Sequence, residues 1–179
     1  MNLIKKLFFV IVFLLIYCTA SAQIEVAHLT SKNFSATGFG SFLNVSIPFD
    51  DANAGIIEGG VYVFSNGGYH EAVAPVLLGF RHLLSDTDYG FYVEPVAGYT
   101  FGGTDLQETD ANGNAINEPD GTEINRKVAG FDTGLGFGYL FEQSGPIRFN
   151  ISLRYEHSFV KNDPALNIIA IRISHSFSF

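Results

Sequence analysis

The chain has 179 residues with a formal net charge of −8, a sign that repels phosphate backbones and excludes nucleic acid as a partner. Its one cysteine, Cys18, sits in the N-terminal apolar stretch, so the rest of the chain has no disulfide, no thiolate metal site and no cysteine nucleophile. Nineteen glycines, 18 Phe and 8 Tyr with no Trp favour β structure joined by tight turns.

The first element is a leader. Lys5 and Lys6 precede an apolar run from Leu7 to Tyr17, and Ala20-Ser21-Ala22 supplies small residues for cleavage. The run is too short to cross ~30 Å of hydrocarbon at ~1.5 Å per residue. The pattern is that of a secretory signal peptide over residues 1–22, with cleavage expected before Gln23 and a single domain over residues 23–179. Tyr17 is too bulky, immediately before Cys18, for lipoprotein processing. With Lys5 and Lys6 removed, eight basic residues face 18 acidic ones.

Strands follow. Ile24 to Thr30 is poorly patterned, whereas Thr37 to Ile47, Ile56 to Ser65 and Ala74 to Leu84 show weak period-two alternation. Tyr89 to Phe101 alternates clearly: Tyr89, Phe91, Val93, Pro95, Ala97, Tyr99 and Phe101 share one face, aromatic at both ends and aliphatic between. That is the girdle pattern of a membrane strand meeting two interfaces. Ala129 to Phe141 places Phe131, Leu135, Phe137, Tyr139 and Phe141 on one face, and Gly130, Asp132, Gly134, Gly136 and Gly138 on the other. Glycines there make room inside a tightly curved sheet.

Ile147 to Phe159 (IRFNISLRYEHSF) alternates for thirteen residues, enough for a tilted membrane strand, which needs ~9 to 11. The last twelve residues, IIAIRISHSFSF, put Ile169, Ile171, Ile173, His175, Phe177 and Phe179 on one side, and Ala170, Arg172, Ser174, Ser176 and Ser178 on the other. Connections are short at Asp50 to Gly55, Ser85 to Asp88 and Glu142 to Pro146, and long at Thr104 to Arg126. Outer-membrane barrels keep short turns on the periplasmic side and long loops outside. Counting back from a periplasmic Phe179 places the long loop outside and makes Ile24 to Thr30 an ascending strand. The total is eight.

This phasing turns Glu58, Glu94, Asp132 and Glu156 inward with Arg81, Arg148, Arg154 and Arg172. Four acids against four bases predict a balanced, paired network that fills the lumen of an eight-stranded barrel. Tyr89, Phe91, Tyr99, Phe101, Phe137 and Tyr139 are the expected girdle.

With these strands the chain resembles the family of small Gram-negative outer-membrane β-barrel proteins, eight-stranded and porin-like by name, over nearly all of residues 23–179. The resemblance implies an all-β, antiparallel, up-and-down transmembrane barrel in the outer membrane, monomeric, in contact with membrane lipid and lipopolysaccharide. It also implies that the terminal strand, with Phe177 and Phe179, is the signal read by the barrel-assembly machinery. It implies no catalytic residue and no cofactor.

Three other readings compete with this one. The segment Arg154 to Asn162 faintly resembles the active-site strand of outer-membrane lipid A deacylases, but Ser158 adjoins His157 and points to the opposite face, where a Ser-His pair cannot form. The long loop carries Asp105, Glu108, Asp110, Glu118, Asp120 and Glu123 against Arg126 alone. Its spacing fails the calcium-loop rule, with Gly121 where a glutamate belongs, so a solvated surface loop is expected and no metal site. A secreted lipocalin-type barrel would enclose an apolar ligand and needs an apolar inner face and a polar outer one; the arginines and aromatics are placed the other way round.

Overall fold

The structure, a computed structural model, describes residues 19–32, 34–85, 87–107, 125–142, 147–160 and 165–177. Eight strands occupy nearly all of it: β1 Thr19–Thr30, β2 Ser35–Pro48, β3 Asn53–Asn66, β4 Tyr69–Leu83, β5 Gly90–Gln107, β6 Asn125–Leu140, β7 Ile147–Val160 and β8 Leu166–Phe177. Each pairs antiparallel with its neighbours in sequence, and β1 closes on β8 through pairs running from Ala20↔Phe177 to Thr30↔Asn167. The result is the expected all-antiparallel eight-stranded closed barrel. Closure removes the sheet edges that an open array would leave with unpaired backbone groups.

The strand boundaries explain themselves locally. β3 and β4 meet in a two-residue turn at Gly67 (φ 61) and Gly68 (φ 89), a pair of left-handed conformations that only glycine adopts without strain. At the other end, the turn from β2 to β3 is built by Asp50. Its carboxylate accepts the backbone N–H of Ala52 (2.9 Å) and of Asn53 (2.8 Å) and the side-chain amide of Asn53 (2.8 Å). An aspartate so placed mimics a backbone turn.

Several boundaries differ from the sequence expectation; β3 and β4 begin early, at Asn53 and Tyr69. β1 begins at Thr19, so the last four residues of the expected leader are paired strand here. Its alternation is complete, with Gln23, Glu25, Ala27 and Leu29 inward and Ile24, Val26 and His28 outward. The pattern is hidden in sequence because the inward face itself mixes polar and apolar residues. The long connection is also shorter than Thr104 to Arg126, since β5 runs on to Gln107 and β6 starts at Asn125; the two strands continue past Phe101 and Ala129, with a register shift between Gly103 and Gln107. Finally, Tyr89 lies in the turn before β5 rather than on the strand, where its carbonyl accepts from Ser85 Oγ at 2.6 Å.

Topology places the β2/β3, β4/β5 and β6/β7 turns at one end, with the start of β1 and the finish of β8. The opposite end holds the Ser31–Phe34 and Gly67–Gly68 turns and the connections through 108–124 and 161–164.

Candidate functional site

The barrel presents two surfaces, a lumen and a wall, and period two assigns neighbouring side chains to them in turn. The lumen is layered. Towards the long-connection end it is mainly apolar: Leu29, Phe42, Tyr62, Phe64, Val73, Val128, Leu166 and Ile168 form one buried cluster. Phe42 meets Tyr62 edge-on at 4.7 Å, and Tyr62 stacks on Phe64 at 5.7 Å. Gly60, beside the Phe42 ring, has no room for a Cβ, so a small residue on β3 makes space for a large one on β2.

Below this lies a layer of charge. Arg154 on β7 donates from Nη1 to Glu58 Oε1 on β3 (2.5 Å) and from Nη2 to Glu94 on β5. Arg172 on β8 donates from Nη2 to Glu25 on β1 (2.5 Å) and from Nη1 to Glu58 Oε2 (2.7 Å). Arg81 on β4 reaches the same Glu94 from Nε (2.7 Å) and Nη2 (2.6 Å). Tyr62 O–H donates to Glu25 Oε2 at 2.6 Å, tying the apolar layer to the charged one. Arg172–Glu25 and Arg81–Glu94 join neighbouring strands, whereas the bonds of Arg154 to Glu58 and Glu94 and of Arg172 to Glu58 cross the lumen between strands that are not paired and act as struts. Multiple charge-assisted bonds on each member are what make charges tolerable away from water.

Glu156 sits within 3.5 Å of Arg154 Nη1. Asp132 lies apart from the arginines and accepts from Thr100 Oγ1 (2.5 Å) and Ser158 Oγ (3.0 Å).

The expected balance of four and four does not describe this lumen. Arg148 stands at the short-turn mouth, one-fifth exposed, bonded to Asp88 at 2.6 Å, outside the buried layer. Glu25 and Glu71, both fully buried, were not anticipated. Glu25 belongs to the unpatterned first strand, and Glu71 precedes the segment in which β4 was expected to begin. Among the described residues the lumen therefore holds six buried carboxylates, with Arg81, Arg154 and Arg172 as its inner cations.

The wall is the reverse. Ile24 and Val26 on β1, Phe39 and Leu43 on β2, Ile57, Val61 and Val63 on β3, and Val76 and Leu78 on β4 are exposed, and the remaining strands continue the band through Leu135, Ile151, Leu153, Ile169, Ile171 and Ile173. Aromatic rings border it. Phe91 stacks on Phe137 (5.6 Å) and meets Tyr139 (4.9 Å) near the short-turn end. Tyr99 packs on Phe101 (4.8 Å), and Phe131 on Phe159 (6.4 Å), nearer the other. Phe91 and Phe101 are separated by roughly 33 Å of strand at ~3.3 Å per residue, which a tilt of ~40° projects to the ~25 Å of an outer-membrane apolar band.

Ser158 and His157 are separated by the wall. Ser158 is fully buried in the lumen on Asp132, whereas His157 lies on the outer face with Nδ1 2.9 Å from Asn167 Oδ1. His175, near the short-turn rim, meets Phe149 edge-on at 6.4 Å. Of the loop acids, Glu108, Asp110, Glu118, Asp120 and Glu123 lie outside the described residues, as does Phe179. The side chains of Asp105 and Phe177 are likewise not described.

No protein-family model and no curated protein matches the chain. Solved structures do. Ail, the attachment invasion locus protein of Yersinia pestis, is 12% identical and superposes over 89% of this chain and 97% of its own with a TM-score of 0.61. A second structure of Ail, in complex with the heparin analogue sucrose octasulfate, gives 0.59 over the same shares. Neisserial surface protein A is 11% identical over 90% of this chain and 97% of its own, with a TM-score of 0.62. Both proteins are eight-stranded outer-membrane barrels, and at these identities what they share with this chain is the fold.

Proposed function

We propose that this chain is an integral outer-membrane β-barrel protein with a side-chain-filled lumen, exported by its leader and cleaved before Gln23. The observation that carries the reading is the inversion of the barrel: charges buried inside, and an apolar band bounded by aromatic rings outside. In water that band would be a large exposed apolar surface, which soluble monomers avoid. In lipid it is the stabilising surface. A soluble barrel of the lipocalin type would need the wall to be polar.

Its role in this reading is structural or surface-directed rather than catalytic. The short turns face the periplasm, and the acidic connection around residues 104–126 faces outward. Although Ail binds a sulfated sugar in one structure, the six acids of this connection against Arg126 argue against a polyanion here, and favour contact with the cations that bridge lipopolysaccharide. Assembly proceeds through the terminal strand with Phe177 and Phe179, and the barrel works as a monomer.

The test is electrophoresis of the outer-membrane fraction with and without boiling in detergent. A band in that fraction that shifts on heating is the expected result, because a closed ladder resists detergent until it is melted. Recovery of the protein as a soluble periplasmic species would overturn the reading.

A further inference from the structure

Beneath the charge layer the lumen widens into a cavity of about 290 Å³, open at the short-turn end. That volume is near the lower bound of ~300 Å³ for small-molecule sites. Only Ser21 among its lining residues precedes Gln23, so cleavage there removes the strand segment beside Asn44 and Ser46 and leaves Asn44, Arg81, Leu83 and Leu140 in place.

Two groups in its lining have unused bonding capacity. Asn44 is 1% exposed and donates from Nδ2 to Glu58 Oε2 at 3.2 Å. A carboxylate only accepts, so the amide orientation is fixed, and Oδ1 is left as a buried acceptor with no partner. Arg81 spends Nε and Nη2 on Glu94, while its guanidinium lies 4.6 Å from the Tyr92 ring centroid; Nη1 takes no bond among the described residues. Glu94 is already shared with Arg154, so Arg81 keeps Nη1 as a donor for a second acceptor.

The surroundings narrow the ligand. Asp51 is exposed at the mouth with no basic partner among the described residues, while Asp88 holds Arg148 there. A bare anion approaching Arg81 is repelled at this rim, and a bare cation finds an arginine at the far end. Leu83 and Leu140 add an apolar wall. We propose that the cavity binds a small zwitterion of amino-acid size, with its carboxylate on Arg81 Nη1, its ammonium on Asn44 Oδ1 and a short aliphatic side chain against Leu83 and Leu140. This site lies inside the barrel and does not depend on what surrounds the wall.

Saturation-transfer NMR on the folded protein in detergent micelles tests it with three probes of one shape: L-valine, isovalerate, which lacks the ammonium, and isobutylamine, which lacks the carboxylate. L-valine is expected to bind at least about tenfold more tightly than either analogue. Ser46→Phe, which fills the cavity from a lining position, is expected to abolish the signal while leaving the heat-dependent electrophoretic shift intact. Ala54→Leu serves the same purpose if the first variant does not fold. Absence of L-valine binding to the wild type, equal binding of isovalerate or isobutylamine, or L-valine binding unchanged in a folded cavity-filled variant would each overturn the proposal. The wild-type probe series decides the ligand class without any variant.

Discussion

Arg154 and Arg148 are six residues apart on one strand, on the same face, yet the structure gives them different work. Arg154 is 1% exposed and holds Glu58 and Glu94 across the lumen. Removing it takes one arginine from each of Glu58 and Glu94 and leaves Glu156 with no ion pair among the described residues, and breaking a buried pair from one side costs ~3 to 5 kcal/mol. Arg148 bonds an exposed Asp88 at the mouth, a solvated pair worth under about 1 kcal/mol. Urea unfolding in lipid vesicles should therefore show Arg154→Ala far less stable than Arg148→Ala. Equal losses would mean that water reaches the charge layer. The difference was not legible in sequence, because period two reports which face a side chain takes and not how deep along the barrel it sits. Tyr62 and Glu25 show the same limit: their bond at 2.6 Å joins residues 37 apart, a distance that no local pattern encodes.

At the level of strands and turns, legibility followed contrast between faces. β6, β7 and β8 set large apolar residues against glycine, serine and charge, and their inward and outward faces fall as the alternation indicates. β1 and β2 were harder to read because the apolar half of the lumen requires Ala27, Leu29 and Phe42 inside, which makes both faces apolar and erases the period. That apolar half is not legible from charges, which mark the inward face only where the lumen is polar.

The β2/β3 turn carries a prediction at this scale. Bonds to Asp50 from the Asn53 side chain, then from the backbone N–H groups of Ala52 and Asn53, hold its carboxyl below the usual carboxylate range. A group whose folded value lies lower than its unfolded one contributes stability above the unfolded value, ~3.9 for Asp, and loses it as pH falls through the folded value. The advantage of wild type over Asp50→Ala should thus be constant near neutrality and shrink only below about pH 4. Unfolding midpoints of the two proteins measured down the acid range check this, and a difference that did not change with pH would assign the turn to geometry alone.

For the whole molecule, the two lumen layers bear jointly on permeation. A solute entering the cavity from the short-turn end then meets Arg154, Arg172, Glu58 and Glu94, each bonded to more than one partner. Passing them requires separating buried ion pairs, and beyond them the packed Phe42, Tyr62 and Phe64 rings fill the bore. An eight-stranded interior is just wide enough for side chains to fill, so neither layer leaves a continuous water path. In planar bilayers the protein should show negligible conductance. Because the layers act in series, Phe42→Ala should remain closed as well: it thins the apolar layer and leaves the charge layer standing. Stable open steps in the wild type would mean that both layers part together, and the lumen would then be a gated route rather than a filled core.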